Sequence, residues 1–337
     1  MNHDSPLSPL PLADTPCRVL TTRQLRERGV SAADADEHCR PGGPWQQVLP
    51  GVHLLHPGPP TAEERLLAVL LYAAQRGPSV PCQGGGERPA PEVMVTGFAA
   101  LALHGLTAAP PLSALERIDV LVAATRRLRS AGFARVVRSA GLPVPEEITG
   151  LPVAPLPRAL ADAVAQLSDA ASVRRLLACA VRDGHGAAGA VLAELERAGL
   201  TAEPQVADAV DVLLAEGRAV AERQLYAMVA DHGLPDPVWN VDLRMPGGPH
   251  LGSVDAYWPE HSVALEIESV APHRDDDLPD PAPDRTRAHL ERLGITVVRC
   301  APHTLHETPR DQAVVVRTAL MAAADREPGA YVVVLPR

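Results

Sequence analysis

The stretch that decides the fold is Leu251–Ser269, LGSVDAYWPEHSVALEIES, near the end of the printed sequence. Two runs of alternating apolar and polar residues flank a short turn that contains a proline, which is typical of a β-hairpin. Successive side chains of a strand point to opposite faces, so Asp255, Glu266 and Glu268 would share the polar face. The apolar face would carry Val254, Ala256, Trp258, Val263, Leu265 and Ile267.

The position of the turn sets how the acids meet. A two-residue turn at Glu260–His261 places Asp255 directly opposite Glu266, and a turn one residue earlier makes them diagonal neighbours, about 7–8 Å apart. In either register the three carboxylates repel one another, and a hard divalent cation with oxygen ligands would relieve that repulsion. The alternative is that these acids are the solvated side of an antiparallel hairpin.

Composition limits the possible functions of the chain. Its 337 residues are too many for one ordinary core, so we expect two or three domains. A formal net charge of −10, with no lysine among the basic residues, argues against unspecific clamping of nucleic acid, although local basic patches remain possible. The five cysteines form no CxxC pair, so neither a zinc site nor a disulfide framework is expected.

From its residues, the start of the sequence is expected to carry no targeting signal. Residues 1–17 are rich in proline and are predicted to be a disordered tail, without the basic and apolar segments of a signal peptide. The longest apolar run is far shorter than the ~20 residues that a membrane span needs. We therefore expect a soluble, cytoplasmic protein with no membrane partner.

Residues 18–60 are predicted to form a winged-helix domain. A capping box at Thr21–Gln24 begins a first helix, Ser31 caps a second, and a turn at Pro50–Gly51 joins two strands. In a winged helix the second helix would enter the major groove of DNA. These residues hold five arginines and four acids, and only Arg40 lies near the end of the second helix. The alternative is that this domain binds protein.

The most basic window of the chain is residues 120–145, which contain no acid. It lies within a segment, 61–160, that is predicted to be a small α/β unit with strands at 118–122 and 133–139. The arginines of the window are Arg126, Arg127, Arg129, Arg135 and Arg138. Such a cluster is typical of a phosphate-contacting patch. A solvated loop beside an edge strand is the alternative.

Apolar spacings of three and four residues predict a helical connector over 161–216, with its last helix at 204–215. The final domain, 217–337, is predicted to begin with a separate helix, AERQLYAMVADHG (221–233). A strand, the hairpin, a further helix over 285–293 and a strand over 295–300 follow. This order indicates a mixed sheet with helices on its faces, so that the whole chain belongs to a multidomain α/β (α+β) class.

The front of the chain resembles a known family. TTRQLRERGVS (21–31), WQQVLPGVHLLH (45–56), TAEERLLAVLLYA (61–73) and VTGFAALALHGL (95–106) are similar to the N-terminal region of AbiEi-type antitoxins of type IV toxin–antitoxin systems. The resemblance implies a winged helix, followed by a small helical and α/β segment, in a DNA-associated regulator with a toxin partner. The acids of the second helix depart from that pattern, since they would repel DNA phosphates.

The last 120 residues resemble the very-short-patch-repair-like branch of the PD-(D/E)xK nucleases, on VDAYWPEHSVALEIES (254–269) and RAHLERLGITVVRC (287–300). Fusion of an antitoxin-like front to a nuclease-like back is known from actinobacterial proteins. The resemblance implies a restriction-endonuclease-like sheet that hydrolyses phosphodiester bonds in DNA with Mg²⁺.

The resemblance also implies roles for single residues. Asp255 and Glu266 would hold Mg²⁺, and Glu268 stands where many members have lysine. Glu222 matches an acid that some members carry on the preceding helix. His273 corresponds to a downstream histidine, displaced by one residue. Without a lysine, Arg299 is the residue that could stabilise negative charge, although the sequence does not place its guanidinium.

Three functions remain open at this point. The chain could be a metal-dependent DNA endonuclease in phage defence or repair. It could be an antitoxin-type transcriptional regulator whose nuclease-like domain is inactive, or an interaction protein with neither activity. Residues 218–337 hold 12 arginines and 18 acids, so a cleaving domain would have to recruit DNA through another segment or a protein partner.

Overall fold

The computed structural model describes residues 18–75, 93–182, 187–268, 282–324 and 331–337. The chain divides into two compact units, Met1–Cys179 with Arg197–Leu200, and Ala180–Glu196 with Thr201–Arg337. Both units contain helices and strands, and the strands form three sheets. This confirms the predicted multidomain α/β class. The predicted disordered tail, 1–17, lies outside the described residues.

The first unit begins with a small antiparallel sheet and two short helices. Its elements are β1 Val19–Thr21, α1 Thr22–Glu27, α2 Ala32–His38, β2 Gln46–Leu49 and β3 Val52–Leu54. The strand order is β1-β3-β2, in which β1 was not predicted. Both helices begin at capping boxes, because Thr21 and Ser31 each exchange hydrogen bonds with the residue three positions later. The predicted helix, turn, helix and hairpin are therefore all present.

A five-stranded sheet follows in the same unit. Its elements are α3 Ala62–Ala74, β4 Val93–Thr96, α4 Gly97–Leu103, β5 Ile118–Ala123, β6 Ala134–Ser139, β7 Glu146–Ile148, β8 Leu151–Val153 and α5 Leu156–Val164. The strand order is β6-β5-β4-β8-β7. The predicted strands β5 and β6 are confirmed, whereas β4 was not predicted. β4 was missed because its short buried run enters α4 directly, through Gly97 at φ +61°.

Three helices precede the third sheet: α6 Ala170–Arg182, α7 Ala188–Arg197 and α8 Pro204–Asp231. The sequence predicts two helices where α8 is one, so the expected boundary at residue 217 falls inside a continuous helix. Gly217 lies inside α8, on the side that faces α7. A Cβ at this position would lie 2.6 Å from the Cβ of Ala188, so the glycine lets α7 and α8 approach closely without interrupting α8.

The second unit is built on another five-stranded sheet. Its remaining elements are β9 Val238–Arg244, β10 His250–Trp258, β11 Val263–Ile267, α9 Ala282–Arg292, β12 Thr296–Cys300, α10 Pro302–Glu307, α11 Pro309–Ala324 and β13 Val333–Pro336. The strand order is β12-β11-β10-β9-β13, with β11 and β12 parallel and the other pairs antiparallel. The predicted mixed sheet is confirmed, and β13 is an addition.

The register of the hairpin follows the first of the two predicted turns. Ala256 pairs with Leu265, and Trp258 pairs with Val263. The loop between the strands has four residues, 259–262, centred on Glu260–His261, with Ser262 at φ +51°. Continuing this pairing by one position sets Asp255 opposite Glu266.

Both faces of this sheet are buried. Ala256 and Trp258 pack with the apolar residues of β11 against α8 and α11. Tyr257 and Ala264 pack on the other side with Leu290 of α9. Val254 belongs to this second cluster, although strict alternation predicted it beside Ala256. Among the acids of the hairpin, Asp255 is buried, whereas Glu266 and Glu268 are partly exposed.

Candidate functional site

Asp255 lies in the middle of β10 and is only 4% exposed. One carboxylate oxygen, Oδ2, accepts a hydrogen bond from the Ile267 N–H at 2.6 Å, and the other accepts from Arg218 Nη2. Burial raises the pKa of Asp255, while the bond from Ile267 and the charge of Arg218 act in the opposite direction. Asp255 is thus a buried carboxylate held by a backbone donor and one guanidinium.

Glu266 is half-buried on the neighbouring strand. Burial raises its pKa, and the negative charge of Asp255 raises it further. The charges of Arg299 and Arg287 lower the pKa of Glu266 by contrast. The effect of Asp255 on the pKa of Glu266 is the repulsion between carboxylates that the sequence suggested, because like charges close together disfavour ionisation.

Glu268 stands at the end of the same strand, beside Arg299. β12 pairs with β11 so that Arg299 is the partner of Glu266, and its Nε lies 3.4 Å from Glu268 Oε1. Both side chains are 40% exposed. The structure therefore places Arg299 beside Glu266 and Glu268, a position that the sequence alone could not show.

Glu222 is linked to this group through Arg218, one turn earlier on α8. Arg218 Nε donates to Glu222 Oε1 at 2.9 Å, while Nη2 of the same guanidinium bonds to Asp255. The charge of Glu222 raises the pKa of Asp255, which places it within electrostatic reach. Sequence reasoning missed Arg218. The signal was its spacing of four residues from Glu222 on a helix, which is a favourable ion-pair geometry.

His273 and the aspartate-rich segment before α9 lie outside the described residues. Within the residues that the structure does describe, no group of three or more His, Cys, Asp or Glu side chains is arranged to hold a metal ion. Magnesium does not require such a group, because it commonly binds through one or two carboxylates, with water and substrate phosphate as the other ligands. Any such pair in this unit would have to come from Asp255, whose two oxygens already accept hydrogen bonds, and from Glu266.

The basic window of the first unit is partly built into the fold. Arg135 donates to both oxygens of the buried Asp119, at 2.6 and 2.8 Å. Arg126 donates to the Ala73 carbonyl at 2.6 Å, and Arg138 donates to the Leu128 carbonyl. These three predicted contact residues therefore hold the segment in place.

Arg127 and Arg129 are exposed in the same loop, close to the hairpin turn of the first sheet. Tyr72 at the end of α3 donates to the Arg129 carbonyl at 2.7 Å, and Gln75 donates to the carbonyls of the turn Pro50–Gly51. The turn and the loop together line a cavity of about 530 Å³. The end of α3 thus fixes two exposed arginines beside the turn.

The predicted recognition helix offers less positive charge. Arg40 follows the end of α2 and pairs with Glu37, with Nη1 2.8 Å from Oε1. Asp34 accepts hydrogen bonds from Ser31 as part of the helix cap, and these lower its pKa. Two of the three acids of α2 therefore have structural contacts: Asp34 caps the helix, and Glu37 forms a surface ion pair.

The fold and this site define an α/β protein of two compact units, the second of which carries a buried carboxylate, Asp255, and a half-buried one, Glu266, on neighbouring strands. No protein-family model matches the chain, and no curated protein is similar to it. In the described parts of the chain, no helix combines the length and apolar character needed to cross a membrane.

Proposed function

We propose that the second unit is a Mg²⁺-dependent phosphodiester hydrolase of the endonuclease type, acting on DNA. The observation that carries this proposal is the pairing of Asp255 with Glu266 across β10 and β11. Each carboxyl has a raised pKa because of burial, and the charge of Asp255 adds to the effect on Glu266. A hard divalent cation favours the ionised form of both acids, so it would relieve the cost that burial imposes.

In this proposal Asp255 and Glu266 hold the cation, which supplies Lewis-acid activation of a phosphate and of water. Glu268 is a further ligand or a general base. Arg299 stabilises the negative charge that develops on the phosphate, in place of the lysine that the resembling nucleases have. Glu222 or His273 orients water, a role that the resemblance implies.

DNA is recruited mainly by the first unit in this proposal, because acids outnumber arginines in residues 218–337. The exposed side chains of Arg127 and Arg129, fixed beside the hairpin turn, are the contacts with phosphate. Replacing both by alanine should reduce the salt dependence of DNA binding by about 2 in the logarithmic slope. An unchanged slope would refute this assignment, and Arg23→Ala, at an exposed position on α1, is the matched control.

A second candidate is an antitoxin-type regulator whose nuclease-like unit is inactive and binds a toxin or another protein partner. The bond between Arg218 and Asp255 favours this reading, since it already supplies the buried carboxylate with a cation. A cation at Asp255 would have to share the carboxylate with Arg218 or displace it. The two candidates therefore differ in whether Asp255 is needed for chemistry or for structure.

Cleavage of supercoiled plasmid in the presence of Mg²⁺ or Mn²⁺ separates them. We expect the wild type to cut, and Asp255→Asn and Glu266→Gln to lose cutting. Glu260→Gln, in the exposed loop of the same hairpin, is the control and should cut like the wild type. Absence of cutting by a folded wild-type protein with either metal would refute the hydrolase and leave the regulator.

A further inference from the structure

A cavity of about 550 Å³ opens in the second unit beside the carboxylate pair. Pockets of roughly 300–1,000 Å³ are the size that holds small organic ligands. Part of the wall is apolar and comes from α7 and α8, where it includes Ala188, Leu214 and Val220. Gly217 also lines this wall, where a Cβ would lie 2.6 Å from the Cβ of Ala188.

The other part of the wall is polar and contains Arg218, Arg337, His303 and His306. Arg218 also bonds to Asp255, so its guanidinium lies at the boundary between the cavity and the acids. The charge of Arg337 lowers the pKa of Asp255, which places this second guanidinium within electrostatic reach of the same carboxylate. Two guanidinium groups of the cavity wall, Arg218 and Arg337, therefore lie near Asp255.

Other side chains of the cavity wall are suited to hydrogen bonding. Gln224 Nε2 lies 3.0 Å from His306 Nδ1, which fixes the imidazole at the rim. Glu268 and Glu307 also line the wall, so an anion would be favoured only near the arginines. A ligand that fits this distribution has an anionic group at one end and a flat, largely apolar body with hydrogen-bonding edges.

We propose that this cavity binds one nucleotide of a DNA strand, with its phosphate at Arg218 and Arg337 and its base against the apolar wall of α7 and α8. This inference rests on the proposed function and names its substrate class. A base held in such a cavity is not stacked in a duplex, and unstacking is least costly in single-stranded DNA. Single-stranded DNA is therefore the preferred substrate.

The experiment is calorimetric titration of the full chain, in EDTA, with thymidine 5′-monophosphate, thymidine and inorganic phosphate as separate probes. We expect the monophosphate to bind about 10-fold more tightly than either fragment, because each fragment reaches one end of the cavity. Val220→Trp, which fills the cavity, and Arg337→Ala, which removes a charged donor, should each weaken binding by about 10-fold. Arg223→Ala, exposed on α8, is the control and should bind like the wild type.

The outcomes separate this inference from the hydrolase itself. Absence of binding to the monophosphate, or equal binding by wild type and both cavity variants with unchanged thermal unfolding, would overturn the inference even if plasmid is cut. Binding that the variants weaken supports it even if no DNA is cut, because EDTA removes the metal. A single-stranded oligonucleotide should displace the monophosphate, and displacement by a blunt duplex of the same sequence would contradict the preference for single strands.

Discussion

Replacement of Arg218 by methionine tests the electrostatics of the second unit. The change removes a guanidinium that bonds to Asp255, which is 4% exposed, and keeps most of the apolar stem. Breaking a buried ion pair typically costs about 3–5 kcal/mol, because one charge is left unpaired. The Arg218 side chain is 32% exposed and Asp255 keeps its bond from Ile267, so solvent screening reduces the cost. We expect the free energy of unfolding to fall by about 2 kcal/mol.

The loss should depend on pH in a direction that follows from the pKa of Asp255. That pKa is already raised by burial, and removing Arg218 takes away a cause that lowers it. A carboxyl destabilises the fold when its pKa in the folded state exceeds its unfolded value of about 3.9. The destabilisation grows as pH rises from the unfolded pKa through the folded pKa. Arg218→Met should therefore be least destabilising near pH 4 and most destabilising above the raised pKa.

Urea unfolding followed by tryptophan fluorescence measures this effect. Trp239 and Trp258 report on the second unit, so the background carries Trp45→Phe to remove the tryptophan of the first unit. Adding Asp255→Asn to Arg218→Met should recover most of the loss, because no buried charge is then left unpaired. The reasoning is refuted if Arg218→Met is no more destabilising than Arg223→Met on the exposed side of α8.

Three further results are expected from single positions. Asp255→Asn should lower the pKa of Glu266, because the charge of Asp255 helps to raise it; NMR titration of the Glu266 carboxyl checks this, and an unchanged pKa would contradict the coupling. Arg135→Met should destabilise the first unit by about 2 kcal/mol, since it leaves a buried carboxylate without its bidentate partner; chemical denaturation measures the loss. Gly217→Ala should cost about 1–2 kcal/mol of unfolding free energy, because the added Cβ meets Ala188, and Ala188→Gly should reduce that cost; a stabilised Gly217→Ala would refute the close approach.

The hairpin shows how much local pattern can predict. Alternation identified both strands, and the expected turn gave the register that sets Asp255 opposite Glu266. The pattern could not show whether the acidic face is solvated, because β-hairpins with one wet face have the same alternation. That depends on helices from other parts of the sequence, because Arg218 of α8 bonds to Asp255 and Leu290 of α9 packs beside Tyr257 and Ala264.

The elements that were missed depend on contacts between distant segments. Arg218 joins Asp255 across 37 residues of sequence, and no local spacing encodes that bond. Gly217 resembles a helix break when only its neighbours are considered, whereas its role depends on the approach of α7. The sequence did not indicate that Arg135 pairs with Asp119, because Asp119 lies just outside the acid-free window, on the adjacent strand.

The central claim is that Asp255 and Glu266 hold a cation of the size of magnesium. Anomalous diffraction from crystals of the full chain grown with Mn²⁺ tests it most directly. We expect a peak about 2 Å from a carboxylate oxygen of each residue, with Arg218 moved away from Asp255. A map with both carboxylates ordered, Arg218 still bonded to Asp255 and no peak between the two acids would contradict the claim.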